Sequence, residues 1–284
     1  IVIAGTAFAK INLGLRVGGL REDGFHPVSG IFQSIDLSDS LTRDSADSDS
    51  ILTSAGRPVP CHLDNLAFRA AAAVRDRAGV AASITMTLDK NIPTSAGLGG
   101  GSADAAAALG MAGAYFSTER AVLESIAPRL GSDVPFCLRG GTARVGGRGE
   151  IISPLEDLAG FALGLVVPPF EIATPDVFAT WDQLDDPAGL RIRAGDLPPA
   201  LRGEDELTND LYPATVALAP DIDGWRRELE TRWTRPVMLS GSGPALFGFF
   251  LDREEAEGAI GAVPGGSRLA EAVDLSSVGW VLTG

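Results

Sequence analysis

A chain of 284 residues with 45% apolar residues, 35 glycines and 18 prolines is long enough for two compact domains and reads as a turn-rich globular protein, not a disordered one. Its net charge of −14 and pI near 4.5 repel a polyanionic backbone, and no basic cluster stands out to overcome that repulsion, so nucleic acid is excluded as the expected partner. No window approaches the roughly 18 apolar residues of a membrane span, because the run from Phe161 to Val167 stops at Pro168 and Pro169.

The amino-terminal stretch is apolar but lacks the basic leader and small-residue cleavage site of a secretory signal. Cys61 and Cys137 form neither a disulfide framework nor a zinc spacing, so a reducing cytoplasm is the expected location. Of the 23 basic residues only Lys10 and Lys90 are lysine, which makes the lysine inside an apolar, strand-like run conspicuous.

In chain order, Ile11 to Val17 reads as a strand. Leu66 to Arg77 reads as a helix, with Leu66, Ala70, Ala73 and Val74 on one face and Asp64 or Asn65 as its cap. Ala82 to Leu88 alternates apolar with small polar residues, the period of a half-buried strand. A glycine cluster, Gly97 to Ser102, then feeds an alanine-rich helix from Ala103. A further helix over Glu119 to Leu130 is expected behind Ser117 and Thr118 as caps, followed by strands over Thr142 to Val145 and Glu150 to Ser153.

Beyond a boundary placed near residue 155, Phe161 to Val167 reads as a buried strand. The charged, proline-bearing run from Asp182 to Glu206 reads as a surface excursion. Ile222, Trp225, Arg226 and Leu229 have helical spacing in an element that ends before Pro236. A strand at Val237 to Leu239, a Ser-Gly-Ser-Gly-Pro turn, a strand from Ala245 to Leu251 and a helix from Glu254 to Ala262 complete the order.

The glycine cluster carries the chemistry. Glycines let main-chain N–H groups approach a ligand, and the helix that follows adds its positive end, which together suit phosphate; a plain tight turn is the other reading of the same residues. Other nucleotide motifs fail: neither lysine follows a glycine, as a Walker loop requires, and Ser102 stands where the dinucleotide fingerprint needs its third glycine. No Gly-x-Ser-x-Gly nucleophile elbow occurs.

Three separated segments, Ala7 to Leu13, Pro93 to Ala105 and Leu239 to Pro244, resemble in order the three motifs of the GHMP kinases. The resemblance runs over nearly the whole chain, through Asp23-Gly-Phe-His26, Phe32-Gln33, Asp64-Asn65-Leu66, Gly131-Ser-Asp-Val-Pro135, Thr174-Pro175 and Asn209-Asp210. It implies a two-domain α+β fold. Residues 1–155 would be a ribosomal-protein-S5-like ATP-binding domain and residues 156–284 a ferredoxin-like GHMP kinase domain, with the nucleotide in the cleft between them. The Asp-Gly-aromatic-His element is similar to the branch of the family that works in the non-mevalonate route to isoprenoid precursors. For this chain it implies ATP, Mg²⁺ and a cytidine-diphosphate-linked methylerythritol whose 2-hydroxyl is phosphorylated. A homoserine or mevalonate type of kinase, and a catalytically silent nucleotide-binding relative, are the alternatives.

Residue by residue, the resemblance makes Asp133 the group that accepts or orients the proton of the attacking hydroxyl, and Lys10 the cation beside it. Asn12, Phe25 and His26 fall at the cytidine end, where a ring stacks on the pyrimidine, and Phe32, Gly241 and Gly243 fall with the substrate. Asn65, Pro93, Gly97, Leu98, Gly99, Gly100, Gly101, Ser102 and Ala103 fall with ATP. Ser102 is the hydroxyl for phosphate or Mg²⁺, with helix capping as its plain alternative. Asp104 would repel phosphate and is expected to point away from it. His62 has no motif around it. A monomer or weak homodimer is expected.

Overall fold

The chain is described by a computed structural model over residues 2–44, 49–57, 59, 64–158, 160–185, 188–193, 199–202, 207–263 and 265–283. Cys61 and His62 lie outside these residues. In the first half β1 (Ile3–Val17), β2 (Val28–Asp44), β3 (Ser50–Gly56), α1 (Leu66–Ala78), β4 (Thr85–Lys90), α2 (Gly100–Tyr115), α3 (Arg120–Leu130), α4 (Val134–Arg139), β5 (Thr142–Gly146) and β6 (Ile151–Pro154) follow one another. The second half brings β7 (Ala162–Val167), α5 (Thr174–Trp181), β8 (Leu190–Ile192), β9 (Leu207–Asn209), α6 (Tyr212–Leu218) and α7 (Asp221–Trp233). It closes with β10 (Met238–Leu239), β11 (Leu246–Phe250), α8 (Arg253–Ile260), β12 (Leu269–Ser276) and β13 (Trp280–Leu282).

The mixed α and β architecture agrees with the expected class. β1 is longer than its apolar run from Ile11, because Ile3 to Phe8 pair with β2 as well. Two bulges interrupt that pairing, between Phe8 and Lys10 and between Asn12 and Gly14, and each re-aims the side chains that follow it. β4 begins at Thr85, not Ala82. The glycine cluster enters its helix earlier than expected: α2 starts at Gly100, so Ser102 sits inside the first turn and is no cap. Glu119, not Ser117 or Thr118, stands at the start of α3, and Ser117 has a positive φ of 53°. Asn65 does cap α1, its side chain accepting from the Ala67 N–H at 2.9 Å.

α2 is buried on nearly all sides from Ala103 to Gly113. Such a helix belongs in a core, since it has no polar face for water. α1, α3, α4 and β13 surround it together with β1. The small alanines let these neighbours come close, and Gly110 lies so near the Trp280 indole that a Cβ there would stand 2.0 Å from the ring.

β7 is buried along its length between β11 and β12, and a second apolar cluster of Ala162, Val166, Ile222, Leu229, Trp233, Leu246 and Phe250 packs α7 on this sheet. The two halves are not separate bodies of sheet. β12 runs from β7 onto β2, through Leu275 with Ile35 and Ser276 with Ser34, while β13 pairs with β1 and β9 meets β1 at Leu15. The run from Asp182 is not wholly a surface excursion either, because Ile192 and Leu201 are buried in the core.

Candidate active site

The glycine loop is fastened from three sides before any ligand is considered. The Lys10 N–H on β1 donates to the Leu98 carbonyl at 3.0 Å, the Ala245 N–H to the Ala96 carbonyl at 3.0 Å, and the Ser240 hydroxyl to the Gly97 carbonyl at 2.8 Å. Gly97 has φ +76° and approaches so closely that a Cβ would lie 2.2 Å from the Ser240 carbonyl oxygen. The Ser-Gly-Ser-Gly-Pro turn is held in turn by Asn209, whose amide donates to the Leu239 and Gly241 carbonyls at 2.9 Å each. A loop pinned in this way presents α2's first N–H groups to a ligand without reorganising.

These elements border a cleft of about 760 Å³, of a size that suits an organic ligand. Its lining includes Lys10, Asn12, Phe25, His26, Phe32, Pro93, Gly97, Leu98, Gly99, Gly100, Gly101, Ser102, Asp133 and Gly241 from the expected set. Three expected residues are not brought to it. Asn65 spends its side-chain oxygen on the α1 cap, with Leu66 facing the cleft beside it. Ala103 is wholly buried in α2, and Gly243 backs onto the Leu239 and Thr215 side chains.

At the centre, Lys10 Nζ stands 3.3 Å from Asp133 Oδ2 and donates to Asn12 Oδ1 at 2.7 Å. Lys10 comes from β1 just past a bulge. Asp133 comes from the residue before α4, where its side chain makes no capping bond, so the carboxylate is left for the lysine. The ammonium also lies 5.1 Å from the centre of the buried Phe32 ring. Asp133 keeps 29% of its side chain exposed against 5% for Lys10, so a ligand in the cleft can reach the carboxylate.

Beneath the loop lies a second charged group that sequence reasoning missed. Lys90, from the end of β4, sits between Asp104 at 2.9 Å and Asp39. Asp39 also accepts from the Asn91 and Ile92 N–H groups at 2.6 and 2.8 Å, while one Asp104 oxygen has no hydrogen-bond partner. Burial works against the Lys90 charge, but the two carboxylates outweigh it and hold its pKa above the ordinary value. Burial also pushes the Asp104 carboxyl up, to about 8, against the pull of Lys90. The Asp104 side chain turns onto Lys90, which donates to its Oδ2 at 2.9 Å, and it does not line the cleft. Burial drives the Cys137 thiol far above its usual range, which leaves it no part as a nucleophile.

At the other end, His26 Nδ1 lies 2.9 Å from the Gly18 carbonyl and Nε2 lies 3.3 Å from Asp182 Oδ2. The imidazole stacks on Phe178 at 5.3 Å and meets Trp181 edge-on at 5.6 Å. Phe25 is 47% exposed at the rim, with the Arg148 guanidinium 4.6 Å over its ring. Phe178, Asp182 and Arg148 were not singled out from the sequence. Phe178 follows Thr174-Pro175 by one helical turn, which is the only signal that pointed its way.

Among the described residues no group of three or more His, Cys, Asp or Glu side chains could hold a metal. Ser102 lines the cleft and supplies a hydroxyl oxygen, a donor of the kind a hard divalent cation takes.

A family profile described as "GHMP kinases N terminal domain" matches residues 65–141. The 4-diphosphocytidyl-2-C-methyl-D-erythritol kinase of Moorella thermoacetica is 42% identical over 261 residues, covering 88% of this chain and 90% of that protein. That of Gloeobacter violaceus is 35% identical, covering 91% of this chain and 89% of the relative. A crystal structure of 4-(cytidine 5'-diphospho)-2C-methyl-D-erythritol kinase superposes with a TM-score of 0.78 at 33% identity, over 95% of this chain and 98% of that one. Homoserine kinase from Cytophaga hutchinsonii, at 17% identity and a TM-score of 0.71, shares the fold.

Proposed function

The chain belongs to the 4-diphosphocytidyl-2-C-methyl-D-erythritol kinases, a branch of the GHMP kinases, and from that premise we infer that it transfers the γ-phosphoryl group of ATP to the 2-hydroxyl of 4-diphosphocytidyl-2-C-methyl-D-erythritol. The observation that carries the reading is the Lys10 to Asp133 contact at the mouth of the glycine loop. In it, the substrate hydroxyl is oriented by Asp133, which takes its proton as the oxygen bonds to phosphorus and the bond from phosphorus to the bridging oxygen of ADP breaks. Lys10 keeps the carboxylate charged and faces the negative charge that grows on the reacting oxygens. Phosphoryl transfer needs little beyond such positioning, so two side chains and a rigid loop are sufficient.

The N–H groups at the start of α2 receive the phosphates of ATP, with Pro93 and Gly97 to Ser102 around them. Magnesium would be held by Ser102 together with the phosphates, and would supply neutralisation of phosphate charge. Phe25 and His26, joined by Phe178, take the cytidine, whose flat base fits an aromatic-walled cleft, whereas Asn12, expected at that end, is held on Lys10 Nζ at 2.7 Å and stands at the reacting end instead. Phe32 supports Lys10 from below. The remaining parts of the reading are a division of the chain near residue 155, with the last strands returning to the first half, and action in the cytoplasm as a monomer or weak homodimer without nucleic acid.

A homoserine or mevalonate type of kinase would have no use for the stacked His26 and Phe178, and a silent nucleotide binder no use for Lys10 beside Asp133. Coupled ADP release with the cytidyl substrate, homoserine and mevalonate separates these readings. Turnover is expected with the cytidyl substrate alone; equal turnover with either smaller alcohol overturns the assignment, and no turnover with any of them favours the silent relative.

A further inference from the structure

Among the described residues three cations line the cleft besides the imidazole of His26: Lys10, Lys90 and Arg148. The two lysines are already matched, Lys10 with Asp133 and Lys90 with Asp39 and Asp104. Among the described residues the Arg148 guanidinium has no carboxylate partner. The nearby Glu150 carboxylate accepts from the Arg148 backbone N–H instead, and the guanidinium only lies over the Phe25 ring.

The hairpin that carries Arg148 is fixed on both sides. On one side the Val28 N–H donates to the Gly147 carbonyl at 2.7 Å, which ties the turn to the segment of Phe25 and His26. On the other, Gly149 has φ +123° and presses on Ser132, where a Cβ would lie 2.2 Å from the carbonyl oxygen. Only glycine tolerates both that conformation and that approach. Arg148 is thereby set between the aromatic end of the cleft and the residue next to Asp133. Arg148, His26 and Asp133 line one cleft, so a substrate that stacks a base at His26 and offers a hydroxyl to Asp133 shares it with the guanidinium.

We propose that Arg148 binds the diphosphate that joins the two ends of the substrate, and so selects a cytidine diphosphate over a cytidine. The proposal rests on the cytidyl reading above and adds to it the residue that meets the diphosphate. A planar guanidinium pairs with phosphate through two parallel hydrogen bonds, and a guanidinium without a carboxylate gives up no ion pair to do so. The Phe25 ring holds it at the rim until the ligand arrives.

The test is equilibrium binding of CDP and of cytidine to the wild type, Arg148→Met, Arg148→Lys and Phe25→Leu, alongside KM for the cytidyl substrate and for ATP. Arg148→Met is expected to lower the preference for CDP over cytidine by about 10- to 100-fold, with cytidine binding little changed. KM for the cytidyl substrate rises by a similar factor, KM for ATP holds, and Arg148→Lys recovers part of the preference. Phe25→Leu weakens CDP and cytidine alike. If Arg148→Met also weakens both alike, the residue serves only to hold Phe25 and the proposal is overturned. An unchanged preference overturns it too. A wild type that binds neither ligand overturns the cytidyl reading, and this proposal with it.

Discussion

Lys10 and Lys90, the two lysines of the chain, are both buried beside the glycine loop and both border the cleft, one paired with a partly exposed carboxylate and the other with two buried ones. Consecutive glycines make room for them. A Cβ on Gly99 would stand 2.9 Å from the Lys10 stem, and one on Gly100 would stand 2.9 Å from Lys90 Nζ. The partners differ in access: Asp133 is 29% exposed, whereas Asp39 and Asp104 are 0% and 5% exposed. The same pairing of ammonium and carboxylate therefore serves two ends. In the cleft a carboxylate that substrate can reach is available for a proton, and under the loop two carboxylates that nothing can reach hold the floor in place. The glycines that make a phosphate cradle also admit the two lysine side chains.

The largest expected effect comes from the sealed group. Lys90→Met leaves the buried Asp39 carboxylate, with Asp104 beside it, without a cation and should cost about 3–5 kcal/mol of stability in a urea melt. In the open cleft the balance reverses: Lys10→Met should slow kcat by about 10²–10³-fold, as loss of one transition-state donor does, with a far smaller change in the melt. Equal stability losses at the two sites would remove the distinction. Gly99→Ala sharpens it, since its backbone has φ +67° and the added methyl meets Lys10. A cost of about 1–2 kcal/mol is expected, with a fall in kcat beyond what the melt explains.

The smallest effect belongs to an ion pair in the open. Asp49 lies 2.9 Å from Arg75 at the surface, and the Ile84 N–H together with Arg75 holds its carboxyl below the usual range. A lowered value means that this contribution is present above the ordinary carboxylate pKa and is lost as pH falls through the folded one. Asp49→Asn should change stability at neutral pH by less than about 1 kcal/mol, and by still less in acid. A change as large as that of Lys90→Met would show that burial is not what separates these pairs.

The sequence made the cleft legible wherever the chemistry is carried by short motifs. Lys10 stood out as a lysine in an apolar strand, the glycine cluster as a loop feeding a helix, and Asp133 through its surrounding motif. The sealed group was not legible. Asp39 and Lys90 meet across neighbouring strands and Asp104 joins from a helix, so no local spacing announces them. Arg148 and Phe178 were missed for a related reason, since an arginine in a glycine hairpin and a phenylalanine in a short helix have no pattern of their own until the fold sets them around the cleft. Asn65 and Ala103 both neighbour lining residues in sequence but are not brought to the lining themselves, since the Asn65 side chain caps α1 and Ala103 turns into the core.

The most direct test loads wild type and Asp133→Asn with radiolabelled ATP and the cytidyl substrate in a single-turnover quench, with ATP affinity measured separately. The account predicts that the variant binds ATP within a few-fold of wild type while transfer slows by about 10²–10⁴-fold. Transfer at the wild-type rate in a variant that binds ATP normally would contradict it, and the exposed carboxylate beside Lys10 would no longer be the proton acceptor.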